Sequence, residues 1–124
     1  MTALVVRDYD EAIAWFTDVL GFVLLEDTAR EPGKRWVRVA ASVDASTALL
    51  LARAANETQV AHVGNFAGGR VGLFLETDDF DATHARLLAG GVHFCETPRS
   101  EAYGKVAVFE DLYGNRWDLI GNRP

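Results

Sequence analysis

The sequence has little cysteine, little proline and no long apolar run. Cys95 is the single cysteine among 124 residues, so no disulfide can form within the chain. A lone thiol is typical of a reducing compartment, and we expect a cytoplasmic protein. The chain runs from Met1 almost at once into a strand-like segment, which is unlike a signal peptide. Apolar runs reach only five residues, as at residues 48–52, far shorter than the roughly 18 residues of a membrane span, so we expect no membrane association.

Basic residues are also scarce. The chain has 12 Lys and Arg against 18 Asp and Glu, a net charge of −6. The basic residues are scattered and form no stripe, whereas nucleic-acid binding needs a basic surface that displaces counterions. Nucleic acid is therefore not an expected partner. With 49% hydrophobic residues and three prolines, the composition excludes disorder and collagen and fits one folded domain.

One pattern occurs twice, with an offset of about 70 residues. Residues 4–10 correspond to 75–81, and each segment leads through a helical stretch into a glycine, Gly21 or Gly91. Asp8 and Asp79 are predicted to cap the helices. Each copy reads as a strand, a helix and three strands. The modules cover residues 1–53 and 70–124, and residues 54–69 are predicted to be a linker without a clear period.

The hydrophobic periodicity predicts the individual elements. Helices are predicted over residues 8–20 and 79–89. Strands are predicted near residues 3–6, 22–26, 35–40 and 47–53 in the first copy, and near 92–96, 105–111 and 117–120 in the second, whose first strand carries Gly72, Phe74 and Glu76. Tyr113, Gly114 and Asn115 predict a tight turn before the last strand.

Three segments, residues 6–22, 77–80 and 109–119, together resemble the vicinal oxygen chelate superfamily of glyoxalase I, bleomycin-resistance proteins and extradiol dioxygenases. The resemblance covers nearly the whole chain. It implies an α+β fold in which two βαβββ modules form an incomplete barrel around a cavity, within a single domain over residues 1–124. It also implies a homodimer.

Enzymes of this superfamily hold a divalent metal with four side chains on the first and last strands of each module. The resemblance places these positions at Met1, Ala48, Gly72 and Asp118. Asp118 alone among them offers a good ligand for such metals, since a methionine thioether is soft and alanine and glycine have no donor. We therefore expect no metal and no cofactor.

Strand alternation then indicates which side chains face the cavity, if Asp118 points inward as the resemblance implies. On the third strand we take Trp36 and Arg38 as inward, because Val37 and Val39 suit packing beneath a helix. The candidate ligand-binding residues are Trp36, Arg38, Leu50, Phe74, Glu76, Phe109 and Asp118. The alternative is that the aromatic residues are plain core and that Arg38 and Glu76 form a salt bridge.

Two functions remain open. The residues favour metal-independent binding or sequestration of a small, planar or aromatic molecule. The alternative is a lyase, isomerase or dioxygenase acting on a small oxygenated substrate, with Glu76 or Asp118 as a catalytic base. His93 and Cys95 share one strand face, so a Cys–His nucleophilic pair is conceivable, although alternating neighbours usually just share a face.

Overall fold

The structure is a computed structural model that describes residues 1–121. It divides into two compact units, Met1–Phe66 and the chain from Ala67 onward. Each unit contains a βαβββ module, so the predicted α+β class and the internal repeat are confirmed. The first unit contains β1 (Thr2–Val6), α1 (Tyr9–Ala14), β2 (Val23–Glu31), β3 (Lys34–Ala40), β4 (Leu49–Arg53) and α2 (Glu57–Val60). The second contains β5 (Val71–Thr77), α3 (Phe80–Ala89), β6 (Arg99–Glu101), β7 (Gly104–Glu110) and β8 (Arg116–Gly121).

The first helix covers the predicted residues, but its second half is not α-helical. Asp8 caps it as expected, because its side chain accepts the Glu11 N–H at 2.8 Å. The α-helix ends at Ala14 and continues as a π-helical turn, Trp15–Val19, in which the Leu20 N–H donates to the Trp15 carbonyl. This wider turn leaves Phe16 and Leu20 almost fully buried.

The sheet of the first unit has the order β1-β4-β3-β2, with β1 parallel to β4 and the other pairs antiparallel. Leu50 lies opposite both Ala3 and Arg38, so these three residues share one face. Val37, Val39 and other fully buried residues occupy the opposite face, and α1 contacts β3 and β4. The helix therefore covers one face of the sheet.

The second unit repeats this order as β5-β8-β7-β6. Asp118 lies opposite Phe74 on β5 and Val108 on β7, so these side chains share a face. The alternate residues of β7 and β8 are buried: Ala107, Phe109, Trp117 and Leu119. They form the core of this unit together with Leu87 of α3.

The strand predicted over residues 92–96 is wrong. Phe94 alone pairs there, with Phe109, and a regular strand begins only at Arg99. The Glu96 carboxylate accepts the Val108 N–H at 2.9 Å, where a regular ladder would use a backbone carbonyl. Pro98 follows and has no N–H to donate, so the ladder is interrupted between the two segments.

Part of the predicted linker is ordered as a short helix. Asn56 caps α2 by accepting the Gln59 N–H at 2.9 Å, a signal that the sequence analysis missed. Residues 54–66 belong to the first unit. Within residues 1–121, no helix is long and apolar enough to cross a membrane. That both modules form a single domain stays a prediction, and residues 122–124 of the predicted second module lie outside the described residues.

A buried acid organises the turn between β7 and β8. Asp111 is 6% exposed and accepts hydrogen bonds from the Tyr113 and Asn115 backbone, from the Asn115 amide and from the Trp117 indole. Gly114 adopts a φ of +90°, as the predicted turn requires. Asn115 does not share that conformation and instead acts through its buried side chain.

Candidate functional site

A groove opens at the end of the first unit's sheet. Its volume is about 570 Å³, and its walls include Trp36, Leu50, Ala52, Arg53 and Gln59. We call it the Trp36 groove. Trp36 is half-buried, and the Arg30 guanidinium lies 5.6 Å from the centre of its ring. Two predicted ligand-binding residues, Trp36 and Leu50, thus line one concave surface.

Arg35, on the other face of β3, makes structural contacts and also borders the groove together with Tyr9. Arg35 pairs with Asp27 at 2.7 Å and with Asp10 at 3.0 Å, and its guanidinium lies over the Tyr9 ring of α1. The hydrogen bonds from Arg35 hold the pKa of Asp27 below its ordinary value. Because residues alternate along a strand, Trp36 and Arg38 lie on the face away from α1, as the sequence analysis expects.

Arg38 is already paired. Its Nε donates to Glu26 at 3.1 Å, and this hydrogen bond lowers the pKa of the Glu26 carboxyl. The ion pair that the structure records for Arg38 is therefore with Glu26 on the neighbouring strand β2, whereas the sequence alternative paired it with Glu76. A ligand anion would have to compete with this carboxylate for Arg38.

Asp118 is the unusual acid of the second unit. Its Oδ1 atom is buried and has no hydrogen-bond partner among the described residues. Burial raises the pKa of this carboxyl; Arg99 opposes the shift and Glu96 adds to it. Because none of the described residues donates a hydrogen bond to this oxygen, it can accept a hydrogen bond or a proton from a bound molecule.

Phe74 and Glu76 lie on the same sheet face as Asp118. Phe74 is directly opposite Asp118 and is 61% exposed, and Glu76 is exposed two residues further along β5. An aromatic ring with this exposure on an open sheet face is available for contact with another molecule. The structure thus places three of the predicted residues on one surface of the second unit.

The strand register refines the expected metal positions. Leu50, paired with Ala3, holds the place in the first unit that Asp118, paired with Phe74, holds in the second. The sequence pattern predicts Ala48 at that place, two residues earlier on the chain. Leucine, like alanine, has no metal-binding side chain, and neither Met1 nor Gly72 offers a suitable ligand, so the residues at these positions do not fit the four-ligand site of the superfamily's enzymes.

The expected orientation of Phe109 is wrong. Phe109 is fully buried and packs on Trp117 and Phe94, with ring centres 5.7 and 5.6 Å away. The register places Val108, not Phe109, opposite Asp118. The expectation that Phe109 shares the face of Asp118 was therefore one residue out of step with the strand register. Phe109 belongs to the core.

A smaller pocket escaped the sequence analysis. It measures about 210 Å³ and is lined by Val5, Gln59, His62 and Phe66, among others. Segment 54–66, which includes α2, therefore borders the β1 face that carries Val5. The Asn56 cap was the one local signal that this segment is structured.

The conceivable Cys–His nucleophilic pair is disfavoured. Burial, followed by the negative charge of Glu110, raises the pKa of the Cys95 thiol. A nucleophilic cysteine needs the opposite shift, because the thiolate is the reactive form. Cys95 is consequently a poor candidate for covalent catalysis.

The sequence and the fold both resemble those of known proteins. The model of the glyoxalase/bleomycin resistance protein/dioxygenase superfamily matches residues 1–119. The chain belongs to this superfamily. An uncharacterized superfamily relative from Shewanella frigidimarina is 52% identical over 119 residues, which cover 95% of this chain and 88% of that protein.

Solved structures share the fold of this superfamily member along most of its length. UcmS2 superimposes with a TM-score of 0.82 at 29% identity, covering 96% of this chain and 93% of that one. TnmS3 from Streptomyces sp. CB03234, described as an antibiotic binding protein, has a TM-score of 0.77 at 33% identity. That match covers 98% of this chain and 92% of TnmS3. Small-molecule binding is thus supported at the level of the superfamily.

Proposed function

We propose that the chain binds a planar aromatic small molecule without a metal and thereby sequesters it. The observation that carries this proposal is the Trp36 groove of about 570 Å³ in the first unit. This volume is within the usual range for small-molecule sites, roughly 300–1,000 Å³. The description of TnmS3 as an antibiotic binding protein supports the binding of a small molecule.

The side chains of the groove suit such a ligand. Trp36 offers a half-buried indole for offset stacking, which contributes about 0.5–1.5 kcal/mol beyond area burial. Leu50 and Ala52 supply apolar wall, and Arg53 and Gln59 supply polar groups that can orient a bound molecule. Arg38 does not line the groove but lies beside Leu50 on the same sheet face. In this proposal it acts on anionic ligands that extend beyond the groove, by exchanging its Glu26 partner for the ligand anion.

Titration calorimetry with bleomycin and with the aromatic anion ANS, both without metal, tests the proposal. Trp36→Ala is expected to weaken binding of a stacked probe by tenfold or more, about 1.4 kcal/mol. Tyr103→Ala is the matched control, because Tyr103 is a 48% exposed aromatic residue of the second unit. Arg38→Ala should weaken ANS binding more than the binding of a cationic probe. Equal affinities for wild type and Trp36→Ala would contradict the proposal.

A second candidate function rests on Asp118. Its buried, unpartnered oxygen and raised pKa favour a metal-free base that removes a proton from carbon next to a carbonyl. Phe74 beside it and Glu76 on the same face would help to bind such a substrate. The test is deuterium exchange into an α-hydroxy ketone followed by NMR. Absence of exchange in the wild type, or exchange that persists in Asp118→Asn, would rule out Asp118 as the base. Glu76→Gln shows whether the exposed carboxylate of Glu76 contributes to the exchange.

We also propose a homodimer in a reducing, cytoplasmic environment. β1 and β5 are outer strands of their sheets, and an outer strand leaves backbone groups unpaired. Phe74, on the outer strand β5, exposes an aromatic ring that a second copy can cover. The free thiol of Cys95 supports the reducing environment.

A further inference from the structure

In the second unit, the interrupted segment and β7 bring together three side chains of types that commonly bind metals. They are His93, Cys95 and Glu110, and one ligand atom of each lies within 4.8 Å of the other two. This group, the His93–Cys95–Glu110 cluster, shares no residue with the Trp36 groove or with the four positions expected for a superfamily metal.

The backbone around the cluster is fixed. Cys95 N–H donates to the Val108 carbonyl at 2.8 Å, and Glu110 N–H donates to the His93 carbonyl at 3.0 Å. Between His93 and Cys95, the Phe94 ring is packed against Phe109 and His84 on the buried side. His93 and Cys95 therefore both project to the other side of this segment.

We infer that the His93–Cys95–Glu110 cluster binds a divalent metal ion of borderline softness, such as zinc. Zinc takes imidazole nitrogen, thiolate sulfur and carboxylate oxygen at about 2.0–2.3 Å, so neighbouring ligands around a tetrahedral ion lie roughly 3.3–3.8 Å apart. Cys95 Sγ and Glu110 Oε2 are already 3.8 Å apart. Small side-chain rotations of His93 and Glu110 would bring all three ligand atoms to these distances.

The charges of the cluster fit the same ion. In the structure the Cys95 thiol donates to the Glu110 carboxylate. On binding, the ion replaces this proton, which passes to solvent, and the thiolate and carboxylate neutralise the two positive charges. Glu96 adds negative charge near Cys95, and Arg116 adds one positive charge. His93 and Cys95 are exposed, so water can occupy the fourth position around the ion.

Cobalt reports this site directly, because Co²⁺ bound to a thiolate shows a sulfur-to-metal charge-transfer band and tetrahedral d–d bands. Reduced protein, free of chelators and oxygen, is titrated with Co²⁺ and then with Zn²⁺. We expect one ion per chain, a charge-transfer band, and loss of the band when zinc displaces cobalt. The absence of a thiolate band would overturn the inference.

Variants assign the ligands. Cys95→Ser should abolish the charge-transfer band, and His93→Ala and Glu110→Gln should each weaken binding by about tenfold or more. His62→Ala and Glu57→Gln are matched controls, since both residues are exposed in the first unit. Metal retained in Cys95→Ser but lost in Asp118→Ala would place the ion elsewhere and refute the inference.

The site is independent of the proposed ligand binding, and the two can fail separately. Trp36→Ala should leave cobalt binding unchanged, and Cys95→Ser should leave the binding of aromatic probes to the Trp36 groove unchanged. Circular dichroism of each variant checks that the fold is intact. If Cys95→Ser alters the spectrum, alkylation of the wild-type thiol replaces it and should block cobalt binding in the same way.

Discussion

Asp111 is expected to be the most sensitive polar residue of the second unit. It is 6% exposed, and its two carboxylate oxygens accept from the Tyr113 and Asn115 backbone, the Asn115 side-chain amide and the Trp117 indole. Replacing an acceptor removes the hydrogen bonds that these donors make to it, and a buried donor that finds no replacement costs about 1–3 kcal/mol. The turn between β7 and β8 thus depends on a single side chain.

Two substitutions separate the contributions of the oxygens. Asp111→Asn keeps one acceptor, which can serve the backbone N–H groups, but it turns an NH₂ group toward Asn115 Nδ2 and Trp117 Nε1. Two lost bonds predict a destabilisation of about 2–4 kcal/mol. Asp111→Ala removes both acceptors from all four donors and is expected to cost more, at least about 4 kcal/mol.

Urea unfolding followed by circular dichroism measures these free energies if the transition is two-state. Asp44→Asn is the control, because Asp44 is exposed and bonds only the Ser42 hydroxyl in the contacts described; it should change stability by less than about 0.5 kcal/mol. In a double-mutant cycle with Trp117→Phe, the coupling to Asp111→Asn should be at least about 0.5 kcal/mol. A loss below about 1 kcal/mol for Asp111→Asn would show that the network contributes little to stability.

Further predictions concern pH, backbone space and assembly. The pKa of Asp118 is raised in the folded chain. The contribution of the protonated carboxyl to stability is therefore present at acidic pH and is lost as the pH rises through the pKa of the folded state. Asp118→Asn should be more stable than the wild type at pH 7, and this difference in unfolding free energy should shrink toward about pH 4. Gly104→Ala should destabilise the fold by at least about 3 kcal/mol, because φ is +132° and the new Cβ would lie 2.2 Å from the Gly121 carbonyl oxygen. Gly33→Ala is the control: its Cβ would meet open space, and the substitution should cost about 1 kcal/mol. Sedimentation at micromolar concentration should show a dimer; a 13.6 kDa species alone would contradict the proposed homodimer.

The repeat and the local caps carried most of the fold prediction. Asp8 and Asp79 both cap their helices, and the apolar periodicity located the helix-facing valines of β3. The break after Phe94 was not predictable from strand propensity, because a side chain, Glu96, takes over a backbone hydrogen bond. Local sequence therefore located elements well and their interruption poorly.

The sequence predicted those site residues whose orientation depends on alternation along a single strand, but not those that depend on the register between strands or copies. Trp36 and Leu50 follow from alternation along single strands, and both line the groove. Phe109 required the register between copies, and an error of one residue moved it to the wrong face. The His93–Cys95–Glu110 cluster joins a loop segment to β7, and a contact between segments that form no regular ladder leaves no period in the sequence.

The π-helical turn in the first unit explains a difference of one residue between the two copies. Tyr9–Ala14 and Trp15–Val19 together span one residue more than the ten of Phe80–Ala89. Accordingly, Asp8 and Asp79 are 71 positions apart, whereas Gly21 and Gly91, both with positive φ, are 70 apart. A single inserted residue, absorbed by one widened turn, accounts for the change in offset. Insertions that would shift every later contact of a helix can thus be accommodated within one turn, leaving the glycine that ends the helix in place.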